Sequence, residues 1–136
     1  MSDLITREQA YEHLRLDYDS NGSPDDGWLD VFIPAVSEAV RLWLKDDWRP
    51  YQVEVDSDGE PVLDSDGRPV VMLDSDGEPV VRWAVKAACL VELERQYRFR
   101  GGEGGATDEP AANGWGYTLG KGATALLASL RKPTVA

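Results

Sequence analysis

The longest apolar-periodic stretch of the chain, residues 23–47, constrains the fold more than any other feature. Ser23 can cap a helix, Pro24 suits its first turn, and the acidic residues that follow favour the positive end of the helix dipole. Behind this start, apolar side chains recur at three- and four-residue spacings and share one wide helical stripe. They are Leu29, Phe32, Ile33, Val36, Ala39, Val40, Trp43 and Leu44. The pattern predicts a helix over residues 24–47 with a kink near Pro34, because proline lacks an N–H and crowds the preceding turn.

A helix of this length would span about 36 Å, which is more than the core of one small domain needs. Part of its surface is therefore predicted to pack against another copy of the protein. The candidates for this subunit interface are Leu29, Phe32, Val36 and Trp43.

Composition narrows the class of protein. The 136 residues suit one domain, and the single cysteine, Cys89, and single histidine, His13, exclude a disulfide framework and a zinc site built on several such ligands. Cys89 lies among packing residues, which predicts a small core residue. The sequence lacks an apolar run long enough to cross a membrane and a basic-then-apolar start, so it predicts a soluble protein made in the cytoplasm, with no membrane partner.

Charge is distributed unevenly along the chain. Residues 1–80 carry 20 acidic and 6 basic side chains, whereas residues 81–136 carry 5 acidic and 8 basic ones. The overall charge of −11 argues against a protein that grips nucleic acid through its phosphates, because such binding needs lysine and arginine. It is compatible with a surface that DNA passes without sticking.

Two further helices flank this long one. Thr6 and Gln9 can form a capping box, which predicts a short helix ending near Leu16. Residues 81–100 are apolar around most of a helical circumference, which predicts a central helix. The predicted fold class is mainly α: a small helical bundle with a short N-terminal helix, two long helices and a C-terminal short helix or hook.

Three near-copies of an Asp-Ser-Asp-Gly unit lie at residues 56–62, 64–70 and 74–80. Each unit combines a leading aspartate with a glycine that tolerates positive φ, so the units predict tight turns joining short strands. Residues 51–81 are accordingly predicted to form an inserted β-meander arm. Weak calcium binding by the aspartates is a less favoured alternative. Residues 17–22 also resemble the start of an EF-hand loop, although Trp28 stands where that loop needs glutamate.

Residues 101–136 are predicted to form a flexible C-terminal docking tail. Its first part, 101–122, is rich in glycine and alanine and resembles a tether. Beyond it, an apolar anchor with a basic end is formed by Leu126, Leu127, Leu130, Arg131 and Lys132. The alternative is a terminal helix folded back on its own core.

Taken in order, these segments resemble a known family. The run ITREQAYEHLRLD at residues 5–17, the stretch 29–44 with Ile33-Pro34-Ala35-Val36, the helix at 83–97 and the run LLASLRKP at 126–133 look like the head–tail connector (head-completion adaptor) proteins of tailed bacteriophages. The resemblance covers nearly the whole chain except the Asp-Ser-Asp-Gly insertion.

The resemblance implies a single adaptor domain that forms a homo-oligomeric ring, usually a dodecamer, below the portal vertex of a filled capsid. Such a ring sits in the neck of the virion, extends the DNA channel and presents a surface to the next head-completion or tail protein. Viral DNA would pass through it without sequence-specific binding. The predicted portal-docking residues are the five of the C-terminal anchor.

No catalytic constellation is visible in the sequence, since no histidine, carboxylate and nucleophile form a recognisable set. No cofactor is predicted. Two alternatives to the adaptor stay open: an acidic DNA mimic or inhibitor that uses its negative half as a decoy for a basic cleft, and a calcium-stabilised surface module.

Overall fold

The computed structural model of the chain describes residues 2–99 and 119–131, and this part is mainly helical. Four α-helices and one 3₁₀ turn are present in it. They are α1 (Arg7–Leu14), α2 (Asp26–Leu44), α3 (Trp83–Phe99), α4 (Lys121–Leu127) and the 3₁₀ turn Ala128–Leu130. The predicted helical bundle is confirmed. No helix in the described residues is long and apolar enough to span a membrane.

The first helix begins as its sequence predicts. The Thr6 hydroxyl accepts a hydrogen bond from the Gln9 amide at 3.1 Å, and the Gln9 side chain accepts one from the Thr6 amide at 2.9 Å. The helix ends two residues earlier than predicted, because Arg15 adopts a left-handed conformation with φ of 56° and closes it.

Helix α2 begins later than predicted. Asp25, and not Ser23, occupies the N-cap position, and Ser23 instead accepts a hydrogen bond from the Asp25 amide at 3.2 Å in the preceding turn. Pro24 therefore precedes the helix, while Pro34 lies inside it. The helix ends at Leu44 rather than near residue 47.

The core forms where α1, α2 and α4 pack around α3, which contacts each of the other three helices. Helix α3 is central, as its sequence predicts. The fully or almost fully buried apolar side chains are Leu4, Ile5, Ala10, Tyr11, Leu29, Ile33, Val36, Val40, Leu44, Val85, Ala88, Cys89, Leu93, Ala123 and Leu127. Burial of each large member contributes about 1.5–3 kcal/mol before conformational entropy is subtracted.

The arm at residues 51–81 does not form the predicted β-meander. The three predicted turns are present, with Gly59, Gly67 and Gly77 at φ values of 80°, 78° and 80°. The segments between them, however, are joined by isolated bridges and form no regular sheet. The five bridges are Tyr51–Val81, Val53–Val71, Val55–Pro61, Leu63–Pro69 and Leu73–Pro79, all antiparallel.

The spacing of the repeats explains this arrangement. Residues 51–55 pair first with 79–81, then with 69–73 and finally with 61–63, so the chain changes partner every second residue. The segment between the first two turns, residues 61–63, has only three residues. Its first residue bridges to Val55 and its last to Pro69, so neither of the two neighbouring hairpins has a second bridge. Each bridge is nevertheless flanked by two backbone hydrogen bonds, so the extended segments satisfy their polar groups locally.

Candidate docking surfaces

The C-terminal segment, residues 119–131, packs on α3 as part of the bundle. Ala123 and Leu127 are fully buried. Small residues permit the close approach: a Cβ added to Gly120 would lie 2.6 Å from Nε of Arg95, and one added to Gly122 would lie 2.9 Å from the Val91 side chain. Residues 119–131 are therefore a terminal helical segment folded back on the core of its own chain, which is the alternative to an exposed docking anchor. Of the predicted tether, residues 101–122, the part up to residue 118 lies outside the described part of the chain, whereas residues 119–122 belong to the packed C-terminal segment.

A buried carboxylate fixes the start of this segment. Glu92 of α3 is completely buried, and one of its oxygens accepts a hydrogen bond from the Gly120 amide at 2.8 Å. The other oxygen accepts hydrogen bonds from Arg95 at 2.7 Å and from the Gln96 amide group at 3.1 Å. A buried carboxylate is tolerated only when donors of this kind surround it. We call Glu92, Arg95, Gln96 and Gly120 the carboxylate clamp.

A second set of contacts holds the far end of the segment against the end of α2. The Arg131 guanidinium lies 4.4 Å from the Trp43 ring centroid, which is a cation–π distance. Arg49 donates a hydrogen bond to the Leu130 carbonyl at 2.9 Å and pairs with Asp46 at 2.6 Å. Both ends of residues 119–131 are thus held by polar contacts, with apolar packing between them.

The predicted portal-docking residues consequently separate into different environments. Leu127 belongs to the core and is fully buried, so the prediction that it is part of an exposed anchor is wrong. Leu126 is 38% exposed, Leu130 is half-buried against the core, and Arg131 is stacked on an aromatic ring. Lys132 lies outside the described residues.

The predicted subunit-interface residues also separate. Leu29 and Val36 are fully buried within their own chain and are not available to a neighbour, because α1 and α3 pack on α2 and its apolar stripe is covered more completely than expected. Phe32 is half-buried and stacks on Trp28, with ring centroids 4.4 Å apart. Trp43 is half-buried beneath Arg131.

The sequence interpretation missed a second stripe on α2. Val31 is 61% exposed and Leu42 is 71% exposed. Eleven residues separate them, close to three helical turns, so they share one face of the helix. Exposed Pro34, half-buried Ala35 and exposed Glu38 fall on the same face at helical spacing, so this face is apolar with one carboxylate near its middle. A search for apolar residues outside the dominant stripe would have found this face, which we call the outer stripe of α2.

The arm presents acidic turns that are built alike. In each turn the leading aspartate accepts backbone hydrogen bonds with one side-chain oxygen: Asp56 from residues 58 and 60, Asp64 from 66 and 68, and Asp74 from 76 and 78, all at 2.8–3.0 Å. The turn aspartates are exposed. Residues 51–81 contain nine acidic side chains and one basic one, Arg68, which pairs with Asp47 of the body.

Both regions with an EF-hand-like or repeated aspartate pattern form hydrogen-bonded turns. Within residues 17–22, Asp19 bridges to Gly22, and its side chain accepts a hydrogen bond from the Asn21 amide at 2.8 Å. Among the residues with described positions, no three His, Cys, Asp or Glu side chains converge as metal ligands would.

Two titratable groups of the bundle with a shifted pKa, Cys89 and Asp26, lie in structural contacts. Burial raises the pKa of the Cys89 thiol to about 12, which keeps it protonated and unreactive at neutral pH. At the start of α2, the hydrogen bond from the Tyr11 hydroxyl lowers the pKa of Asp26, and Arg7 pairs with the same carboxylate at 3.4 Å.

Comparison of the chain with protein-family models, with curated proteins and with solved structures finds no match in any of the three.

Proposed function

We propose that the protein is a head–tail adaptor of a tailed bacteriophage, a single-domain structural protein that forms a ring below the portal. The resemblance of residues 5–17, 29–44, 83–97 and 126–133 to that family supports the assignment. The observation that carries it beyond resemblance is the outer stripe of α2, where Val31 and Leu42 remain largely exposed on the side of the helix opposite its buried stripe. An apolar face of this kind is typical of a protein that associates with copies of itself or with other chains.

The proposed ring contains twelve copies of the chain, the number that the family resemblance implies. The outer stripe of α2 supplies one subunit face, with half-buried Phe32 and Trp43 near its margins. A closed ring above two-fold symmetry needs a different surface on the neighbouring copy. The ring occupies the neck of the virion, between the portal and the next head-completion or tail protein.

Portal docking is assigned to the exposed side of the C-terminal segment. Leu126 offers an apolar contact, and Arg131 with Lys132 supplies positive charge at the end of the segment. Leu127 stabilises the segment from inside the core and makes no direct contact in this proposal. A ring strengthens such small docking sites, because one docked subunit holds the others at high effective concentration.

The channel of the ring is proposed to be acidic. Residues 1–80 carry a net charge of −14, and carboxylates repel the DNA phosphates that lysine and arginine would hold. A ring structure whose lumen contains more lysine and arginine than aspartate and glutamate would contradict this part of the proposal.

The proposal is tested by mass measurements on the protein alone and after mixing with the purified portal protein. The wild-type chain should add a multiple of its 15.0 kDa mass to the portal, and Leu42→Glu on the outer stripe should prevent complete rings. Leu63→Glu introduces the same charge at a similarly exposed leucine of the arm and should leave rings intact. Unchanged portal mass with the wild-type protein would refute the adaptor function.

A second candidate function is favoured by the acidic arm, whose net charge of −8 lies on exposed turns. A DNA mimic would use these carboxylates to occupy a basic cleft. Excess duplex DNA should then displace the protein from its partner, whereas association with a portal should resist the same competitor.

A further inference from the structure

A groove of about 430 Å³ lies where the arm meets the helical bundle. The arm contributes Val53 and Val55, the start of α3 contributes Trp83 and Ala84, and the C-terminal segment contributes Leu130. Among the described residues, no acidic side chain lines the groove. Its walls come from three parts of the chain, so its shape depends on the arm and the C-terminal segment being held in place.

Trp83 is the prominent side chain of this groove. It is 76% exposed, although it is the first residue of the most central helix. Tryptophan contributes more to protein–protein binding than most residue types, since it buries a large apolar area and orders few torsions. A tryptophan left this exposed beside an apolar groove indicates a surface that a partner covers.

Positive charge borders the same groove. Arg82 is one of its lining residues, and the Lys86 ammonium lies 4.8 Å from the centroid of the Trp83 ring. Within residues 2–99 and 119–131, neither cation has a carboxylate within ion-pair distance. The groove therefore suits a ligand that combines an apolar side chain with neighbouring negative charge.

The third turn of the arm has this combination. Leu73 is 60% exposed and directly precedes Asp74, which Asp76 and Glu78 follow, and residues 73–78 contain no cation. The first turn differs, because Val55, the apolar residue before it, lines the groove itself. The second turn differs, because Arg68 pairs with Asp47 and ties that turn to its own body. Leu73 lines a separate groove with Trp48 and Tyr51, so the third turn and the Trp83 groove are different surfaces of the molecule.

We propose that the groove beside Trp83 receives the acidic third turn, residues 73–78, of a second copy of the chain. Leu73 enters the apolar part of the groove, and the turn carboxylates lie near Arg82 and Lys86. Since the two surfaces differ, the contact is heterologous and propagates head to tail. In the proposed ring, this contact identifies one pair of subunit surfaces. The contact itself does not require a ring, so it rests on the proposed function only where the ring is said to close.

Sedimentation velocity of the full chain tests the contact over a concentration series up to about 100 μM. The wild-type protein should self-associate, and raising the salt from about 0.05 M to about 0.5 M should weaken the association. Trp83→Ala should weaken it by at least about tenfold, as expected for an aromatic anchor. Melting temperatures verify that each variant remains folded.

The repeats provide a matched control. Leu73→Ser should weaken association about tenfold, whereas Leu63→Ser, at the equivalent position of the second turn and 57% exposed, should change it less than about twofold. Equal losses in the two variants would overturn the assignment of the third turn.

A charge reversal tests the pairing itself. Lys86→Glu and Asp76→Lys should each weaken association, and the double variant should recover most of it because every copy then carries both reversed charges. Lys121→Glu makes the same charge change at an exposed site outside the groove and should have little effect. Failure of the double variant to recover would overturn the proposed contact.

Portal binding separates this inference from the proposed function. A wild-type protein that joins the portal but shows no arm-dependent association would refute the contact and leave the adaptor function standing. Arm-dependent association through Trp83 without any portal binding would support the contact and refute the adaptor function.

Discussion

Replacing Leu127 with alanine should destabilise the protein strongly, because this side chain is completely buried between α4 and the rest of the core. Removing a buried leucine side chain costs about 2–5 kcal/mol, from lost transfer free energy and the cavity left behind. Unfolding entropy of about 2.1 cal/mol/K per residue gives a chain of this length about 0.3 kcal/mol per degree. A loss of about 3 kcal/mol therefore lowers the melting temperature by about 10 °C.

The neighbouring residue supplies the control. Leu126 belongs to the same helix and is 38% exposed, so Leu126→Ala should cost less than about 1 kcal/mol. Urea unfolding followed by tryptophan fluorescence gives both free energies, since the chain contains five tryptophans. Similar losses in the two variants, or a loss below about 1 kcal/mol for Leu127→Ala, would refute the placement of α4 in the core.

Three further outcomes follow from the same packing. Gly120→Ala places a methyl group 2.6 Å from a guanidinium nitrogen of α3 and should cost about 1–3 kcal/mol in urea unfolding, whereas Gly27→Ala, with open space around it in α2, should stabilise by about 0.5–1 kcal/mol. The pKa of Asp26 is lowered in the folded protein, first of all by the Tyr11 hydrogen bond. This shift adds stability at pH values above the pKa of an unfolded aspartate, and the added stability is lost as the pH falls below about 4. Asp26→Asn should therefore make the free energy of unfolding less dependent on pH in the acid range. Cys89, with its pKa raised to about 12, should react with a thiol reagent at pH 8 only as fast as the protein unfolds, and rapid labelling of the native protein would contradict its burial.

Local sequence signals predicted the helices well. The Thr6 capping box depends on residues three positions apart, so its chemistry is visible without the fold. The apolar stripe of α2 likewise identified the buried residues Leu29 and Val36. Their assignment to a subunit interface was wrong, because the coverage of a stripe depends on how closely other helices, here α1 and α3, pack on it. That coverage is set by contacts distant in sequence.

The C-terminal segment shows the same limit more sharply. Leu126, Leu127 and Leu130 form one apolar cluster in the sequence, yet the fold leaves the first exposed and buries the second. The position of the segment is fixed by Glu92, a residue that resembles a solvated glutamate within its own helix. Its partner, the Gly120 amide, lies 28 residues away in the chain. No periodicity in either segment reveals this pairing.

The arm shows how correct turn chemistry can still give an unexpected architecture. Pro61, Pro69 and Pro79 all lie at bridge positions where the neighbouring residues, and not the prolines, make the cross-strand hydrogen bonds. Their missing N–H groups therefore cost the bridges nothing, although proline within a strand is otherwise typical of sheet edges.

The bridges of the arm leave its apolar side chains exposed. Because turns and bridges satisfy the arm's backbone without a packed sheet face, its apolar residues need not cover one another. Val55, Leu63 and Leu73, which directly precede the three turns, all remain more than half exposed. Hydrogen bonding thus holds these side chains in place while leaving them uncovered, which suits an arm that presents apolar contacts between acidic groups to another surface.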